Sequence, residues 1–204
     1  MWLSFYNKES IGDTLLLLKN EIPRQSLAIK SVGNVTRIFN QETGETGAYN
    51  LFSISDTFTP TGNGQVFLSD KETEEVNNLI KISGFSDLIT MDLEPKLVVG
   101  YVLECVPHED SDHLNITQTD VGNGEVLQIV CGASNIKKGQ KVVVAKPRTV
   151  MPDGMIIWPG ELRGVKSYGM ICSAKELGIE NPTGKKGILV LEDQAETGKP
   201  FFNK

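Results

Sequence analysis

The sequence predicts a mainly β protein in two parts, an α+β domain over residues 1–90 followed by a five-stranded β-barrel over residues 91–204. Three observations lead there. Short apolar or alternating stretches, separated by Gly, Asn, Asp and Pro, recur along the chain and have strand character. A single extended helical pattern occurs, and it lies in the front half. The length of 204 residues is enough for two small cores.

In the front half, residues 2–6, 14–18, 27–31, 35–39 and 48–54 have strand character. Ser69-Asp70-Lys71-Glu72 is a capping box, in which the serine accepts from a free backbone N–H and the glutamate reaches back to the serine's own. Val76, Leu79 and Ile80 follow at helical spacing, and Gly84 stands where the helix stops. Residues 86–95 are the expected link. Beyond it, residues 97–106 form a long strand, and residues 115–121 and 125–131 form a hairpin about Asn123-Gly124, a pair that tolerates the positive φ angles of a primed turn. Residues 141–145, 155–158 and 169–172 supply further strands. Ser173-Ala174-Lys175-Glu176 is a second capping box, opening a one-turn helix closed by Gly178. Several short strands with almost no helix in about a hundred residues point to a small closed barrel, first of all an oligonucleotide-binding (OB) barrel.

Composition narrows the class. The chain is 39% hydrophobic and 23% charged, ordinary for a globular protein, and nothing approaches the roughly 18 apolar residues of a membrane span. The N-terminus lacks the pattern of a signal peptide, and the three cysteines, an odd number, argue for reduced thiols. Together these make the cytoplasm the expected compartment. The net charge is −6, yet its distribution is uneven. Residues 131–175 carry eight cations against Asp153 and Glu161, whereas residues 93–130 carry Lys96 alone against seven carboxylates. A local basic patch steers a polyanion more than a net charge does, although solvated surface faces give the same arithmetic.

No catalytic constellation emerges, and no cofactor is expected. Cys105, His108 and His113 lack the second ligand pair of a structural zinc site. The stretch 178–186 has five residues between its glycines and a second lysine where a phosphate loop needs Ser or Thr. Glu109, Asp110 and Asp112 lie in a polar run that promises no burial to tune them.

The most informative segment is Leu162-Arg163-Gly164-Val165-Lys166-Ser167-Tyr168-Gly169-Met170, which sets two cations, a hydroxyl and a thioether around approachable backbone. Arg163 is suited to paired hydrogen bonds with phosphate oxygens, with Lys146, Arg148 and Lys166 as supporting phosphate contacts. Ser167 could bond a phosphate or a 2′-hydroxyl, or close a turn. Met170 could pack on a base or fill the barrel, and Asn135 could bond a base edge or sit in a left-handed turn.

Residues 97 to about 178 resemble the tRNA-binding domain found in the phenylalanyl-tRNA synthetase β-subunit, in appendices of methionyl-tRNA synthetases and in free-standing tRNA-binding proteins. The likeness lies in Val99-Gly100-Tyr101-Val102, the run from His108 to Leu114, Gln128-Ile129-Val130-Cys131-Gly132-Ala133 with Asn135, Leu162-Arg163-Gly164 with Ser167 and Gly169-Met170, and Cys172-Ser173 with Glu176-Leu177-Gly178. The complete chain is similar to the YtpR-type tRNA-binding proteins. The resemblance implies a non-enzymatic OB fold that grips tRNA by backbone and shape, with Asn135, Arg163, Ser167 and Met170 on its binding surface and Ser173 beside them. It also implies a homodimer, since free-standing relatives often pair barrels, and a partner among synthetases or the translation machinery. One position departs: His113 stands where family members commonly have lysine, removing a permanent cation. That departure, with the acidic whole, keeps open a protein-interaction module docking on a synthetase or ribosomal partner.

Overall fold

The computed structural model describes residues 1–181, 184 and 186–202, and it divides into two compact units, Met1–Leu93 and Glu94–Lys204. Among the described residues no helix is long and apolar enough to cross a membrane.

The first unit is one antiparallel sheet with a helix. Its strands are β1 (Leu3–Tyr6), β2 (Thr14–Leu18), β3 (Leu27–Val32), β4 (Val35–Asn40), β5 (Thr46–Phe52) and β6 (Gly64–Val66), arranged β3-β4-β5-β2-β1-β6. A four-residue helix, α1 (Lys8–Ile11), joins β1 to β2, and α2 (Asp70–Ile82) supplies the helical layer. The capping box at Ser69 is formed in full, with Glu72 N–H donating to Ser69 Oγ at 3.3 Å and Ser69 N–H to Glu72 Oε2 at 2.8 Å. At the far end, Gly84 N–H reaches Lys81 O and Phe85 N–H reaches Ile80 O, which satisfies two carbonyls of the last turn and ends the helix. Val76 and Ile80 are buried against Leu15, Leu17, Leu51 and Tyr49, and Trp2 stacks on Tyr49 at 5.4 Å.

The expected link is in part folded structure. Asn77 pairs its side-chain amide with both backbone groups of Ile89, and Ile89 is buried. Asp87 bonds Arg37 at 3.1 Å. Side chains distant in sequence therefore hold residues 85–91 on this unit.

The second unit is a nearly closed barrel. Its strands are β7 (Leu97–Pro107), β8 (Asn115–Asp120), β9 (Val126–Cys131), β10 (Lys141–Ala145), the hairpin strands β11 (Gly160–Leu162) and β12 (Val165–Ser167), and the short β13 (Met170–Ile171) and β14 (Val190–Leu191). The sheet order is β13-β10-β7-β8-β9, with β14 on β10. β7 pairs first with β10 and then with β8, and a register shift between Val102 and Glu104 accompanies the change of partner; such irregularities bend a strand and aid closure. Closure depends on the free edge of β9, where Tyr168 N–H donates to Gln128 O at 2.8 Å and Gln128 Nε2 donates to Lys166 O at 2.8 Å. Val98, Val102, Ile129, Val142, Val144 and Ile171 fill the interior. Val143, Ala145, Met151, Ile157, Cys172 and Leu177 form a second apolar cluster, so β10 is buried on both faces.

Two expectations change here. Residues 155–158 make only an isolated bridge, Val150 to Ile156, because Ile157 packs into the second cluster instead of extending the sheet. The β11–β12 hairpin was not expected, since three-residue strands are too short to carry an alternating pattern.

Candidate nucleic-acid interface

The β11–β12 hairpin turns through Arg163 and Gly164 at φ +47° and +81°. Two consecutive left-handed residues are what a primed turn needs; glycine adopts that conformation freely, whereas arginine pays a steric cost. The hairpin thus presents Arg163 at its tip, exposed, with Nη1 donating to the carbonyl of Asp110 at 2.7 Å.

A buried histidine ties the same loop to the same hairpin. His108 accepts from Asp110 N–H at Nδ1, 3.0 Å away, so its proton belongs on Nε2, which lies 3.3 Å from the carbonyl of Leu162. The backbone of Asp110 is therefore held from both sides, by His108 and by Arg163. Glu109, Asp110 and Asp112 are exposed on this loop, and His113 bonds the Asp112 carboxylate at 2.9 Å, which lowers the Asp112 pKa. The His113 imidazole is thus directed toward a neighbouring carboxylate.

The other sequence-selected residues separate by environment. Lys166 is exposed, and its ammonium has no partner among the described residues. Ser167, by contrast, is 5% exposed; its Oγ accepts from Val130 N–H at 3.1 Å, helping to fasten the hairpin to β9. Its hydroxyl is internal, where it supplies a partner for that edge amide of β9. Asn135 is similarly committed: Nδ2 donates to Ile188 O and Oδ1 accepts from Ile188 N–H, both at 3.0 Å, as a neighbouring strand would. Lys146 is ion-paired with Glu125, leaving its side chain 15% exposed. Arg148 is half-buried, with φ at +71°. Lys141 lies 4.9 Å from the ring of Tyr101 and donates to Thr197. The basic excess counted along the sequence is therefore partly engaged within the protein.

Met170 is half-buried on β13 and lines a groove of about 350 Å³ together with Val130, Gly132, Ala133, Glu176 and Gly187. Ser173 stands in its wall, with N–H and Oγ both directed to Glu176 Oε2 at 2.7 Å. Gly187 sits at φ +122°, and a β-carbon there would fall 2.2 Å from Asn135 Oδ1, so this wall requires the absence of a side chain. Burial, followed by the nearby Glu176 charge, pushes the Cys172 thiol up to about 12.

The structure thus joins Arg163, Lys166 and Ser167 on one hairpin and connects its foot, through Val130, to the groove containing Met170. Lys146 and Arg148 lie instead on the segment after β10. Sequence reasoning missed His108 as a tie, Glu176 as a groove residue and Gly187 as a close approach. For His108, its place at the head of the family-like run was the available signal. The stretch 178–186, whose spacing does not fit a phosphate loop, lies partly outside the described residues.

Comparison with known proteins agrees with this architecture. Residues 97–200 match the family described as "Putative tRNA binding domain", and residues 22–92 match a domain of unknown function, DUF4479. A Bacillus subtilis protein named "Putative tRNA-binding protein YtpR" is 48% identical over 198 residues, 97% of this chain and 98% of the relative. The phenylalanine–tRNA ligase β-subunits of Lactiplantibacillus plantarum and Oceanobacillus iheyensis are 47% and 55% identical over 112 and 104 residues, about half of this chain but only 14% and 13% of those subunits. The chain belongs to the YtpR-type family of tRNA-binding proteins, and its C-terminal unit to the tRNA-binding domain family shared with phenylalanyl-tRNA synthetase β-subunits.

Proposed function

We propose that the C-terminal unit is a non-catalytic module that binds tRNA by backbone and shape. The observation that carries this reading is Arg163, held at the tip of a primed turn by a backbone carbonyl, exposed and clear of any carboxylate partner among the described residues. An arginine fixed in this way offers its remaining N–H donors to phosphate oxygens without first losing side-chain freedom. Lys166 adds charge from the same hairpin, Met170 offers an apolar surface to a base, and Arg148 is a more distant phosphate contact. Asn135, Ser167 and Lys146 act in this reading as supports, since their polar atoms already have partners in the chain. Three free cysteines, two of them buried, fit a reducing compartment such as the cytoplasm, where tRNA is found.

The test is titration of labelled tRNA at several salt concentrations. Binding should weaken linearly on a log–log plot, and Arg163→Ala should reduce the slope by about one as one phosphate contact is lost. Absence of saturable binding at low salt would overturn the reading and favour a protein-docking role on a synthetase or ribosomal partner.

A further inference from the structure

The groove beside the Arg163 hairpin differs in chemistry from the hairpin. Its lining from Val130, Ala133, Met170 and Ile171 is apolar, and most of the polar groups around it are occupied. Ser173 donates to and accepts from Glu176. Both backbone groups of Ile188 are taken by Asn135. Glu176 Oε2 already accepts from Ser173, but Oε1 has no partner among the described residues. The groove therefore offers apolar side-chain contact and one anionic acceptor.

That combination repels a phosphate and suits a nucleobase. A base leaving its stack can lie against Met170 and Ala133 while its polar edge meets the carboxylate. Uracil offers a single N–H flanked by carbonyls. Adenine and cytosine place a ring-nitrogen acceptor next to their amine, which would face the carboxylate unfavourably. Guanine alone presents adjacent donors, N1–H and the N2 amine, on its Watson–Crick edge.

Resting on the tRNA-binding reading, we propose that this groove receives one unstacked guanine, with Glu176 Oε1 accepting from its Watson–Crick edge and Met170 packing on its face. The hairpin holds phosphate and the groove selects the base. Asn135 and Gly187 then serve the site indirectly, by setting the wall opposite Met170.

The experiment uses the full chain and a stem–loop RNA with one unpaired loop nucleotide, made as guanosine, inosine, adenosine or uridine. At fixed salt the guanosine RNA should bind on the order of tenfold more tightly than the adenosine RNA, with inosine, which keeps N1–H but lacks the N2 amine, in between. Glu176→Gln should remove this preference while keeping the capping box, because glutamine also serves at that position. Ala133→Leu, which fills the groove and leaves the carboxylate in place, should remove it too. Arg163→Ala should weaken all four RNAs alike. Equal binding of the four RNAs by the unaltered protein, or a guanosine preference that survives Glu176→Gln, would overturn the guanine site and leave tRNA binding standing. Failure of every RNA to bind would overturn both.

Discussion

Arg163 and His108 act as a pair through the backbone of Asp110. Removing the imidazole takes away the acceptor of the Asp110 N–H, a loss of about 1 kcal/mol for a partly buried hydrogen bond, and it frees the loop that holds the Arg163 guanidinium. His108→Phe should therefore lower tRNA affinity. If His108 works by positioning Arg163, the double variant His108→Phe/Arg163→Ala should bind no more weakly than Arg163→Ala alone. Additive losses in that cycle would show that His108 contributes independently. The same residues show the limit of reading a site from sequence. Arg163 stood out in the sequence because it is a cation beside glycine, in approachable backbone, within a family-like motif. Ser167 and Asn135 look equally available in sequence, but the amide of Val130 and the backbone of Ile188, 37 and 53 residues away, take up their polar atoms.

Among the elements, those governed by local rules were legible. The Ser69 capping box and the bonds that end α2 lie within a few residues of one another, so propensity and capping chemistry settle them. The β8–β9 hairpin is similar: Asn123 and Gly124 lie at φ +54° and +77°, and strand register follows from the turn. The small elements were not legible. β6, β11, β12 and β14 have two or three residues each, and the pairing of β6 and β14 depends on neighbours far along the chain. One tie between elements makes a pH prediction. Asp13, which precedes β2, accepts from Tyr6 Oη on β1 at 2.9 Å and from Ser55 N–H and Oγ at 3.1 and 2.6 Å. These bonds, led by the Ser55 hydroxyl, lower the Asp13 pKa. A carboxyl with a lowered folded pKa stabilises the protein above its unfolded value, about 4, and loses that contribution as pH falls through the folded value. Asp13→Ala should therefore lower the melting temperature most at neutral pH, with the deficit closing in acid. A deficit independent of pH would mean that the charged form of Asp13 contributes nothing.

At the scale of the whole molecule, each unit has a hydrophobic core of its own, one around Tyr49 and Ile80, the other around Ile129 and Val142. A fragment beginning at Glu94 should fold cooperatively by itself and bind tRNA with the salt dependence of the full chain. A fragment that folds but binds more than tenfold more weakly would assign part of the RNA contact to the first unit. The net charge of −6 does not weigh against this, because field strength at a hairpin tip depends on nearby groups.

The sequence by itself determined the β-rich character, the Ser69 cap, the primed turn at Asn123-Gly124 and the family, because alternation, capping chemistry and ordered motif blocks are properties of near neighbours in the chain. The tertiary structure decided which polar side chains face solvent and which fasten the barrel. A donor or acceptor finds its partner wherever the fold places one, and the closing edge of β9 placed Ser167 inward and Arg163 outward, only four residues apart.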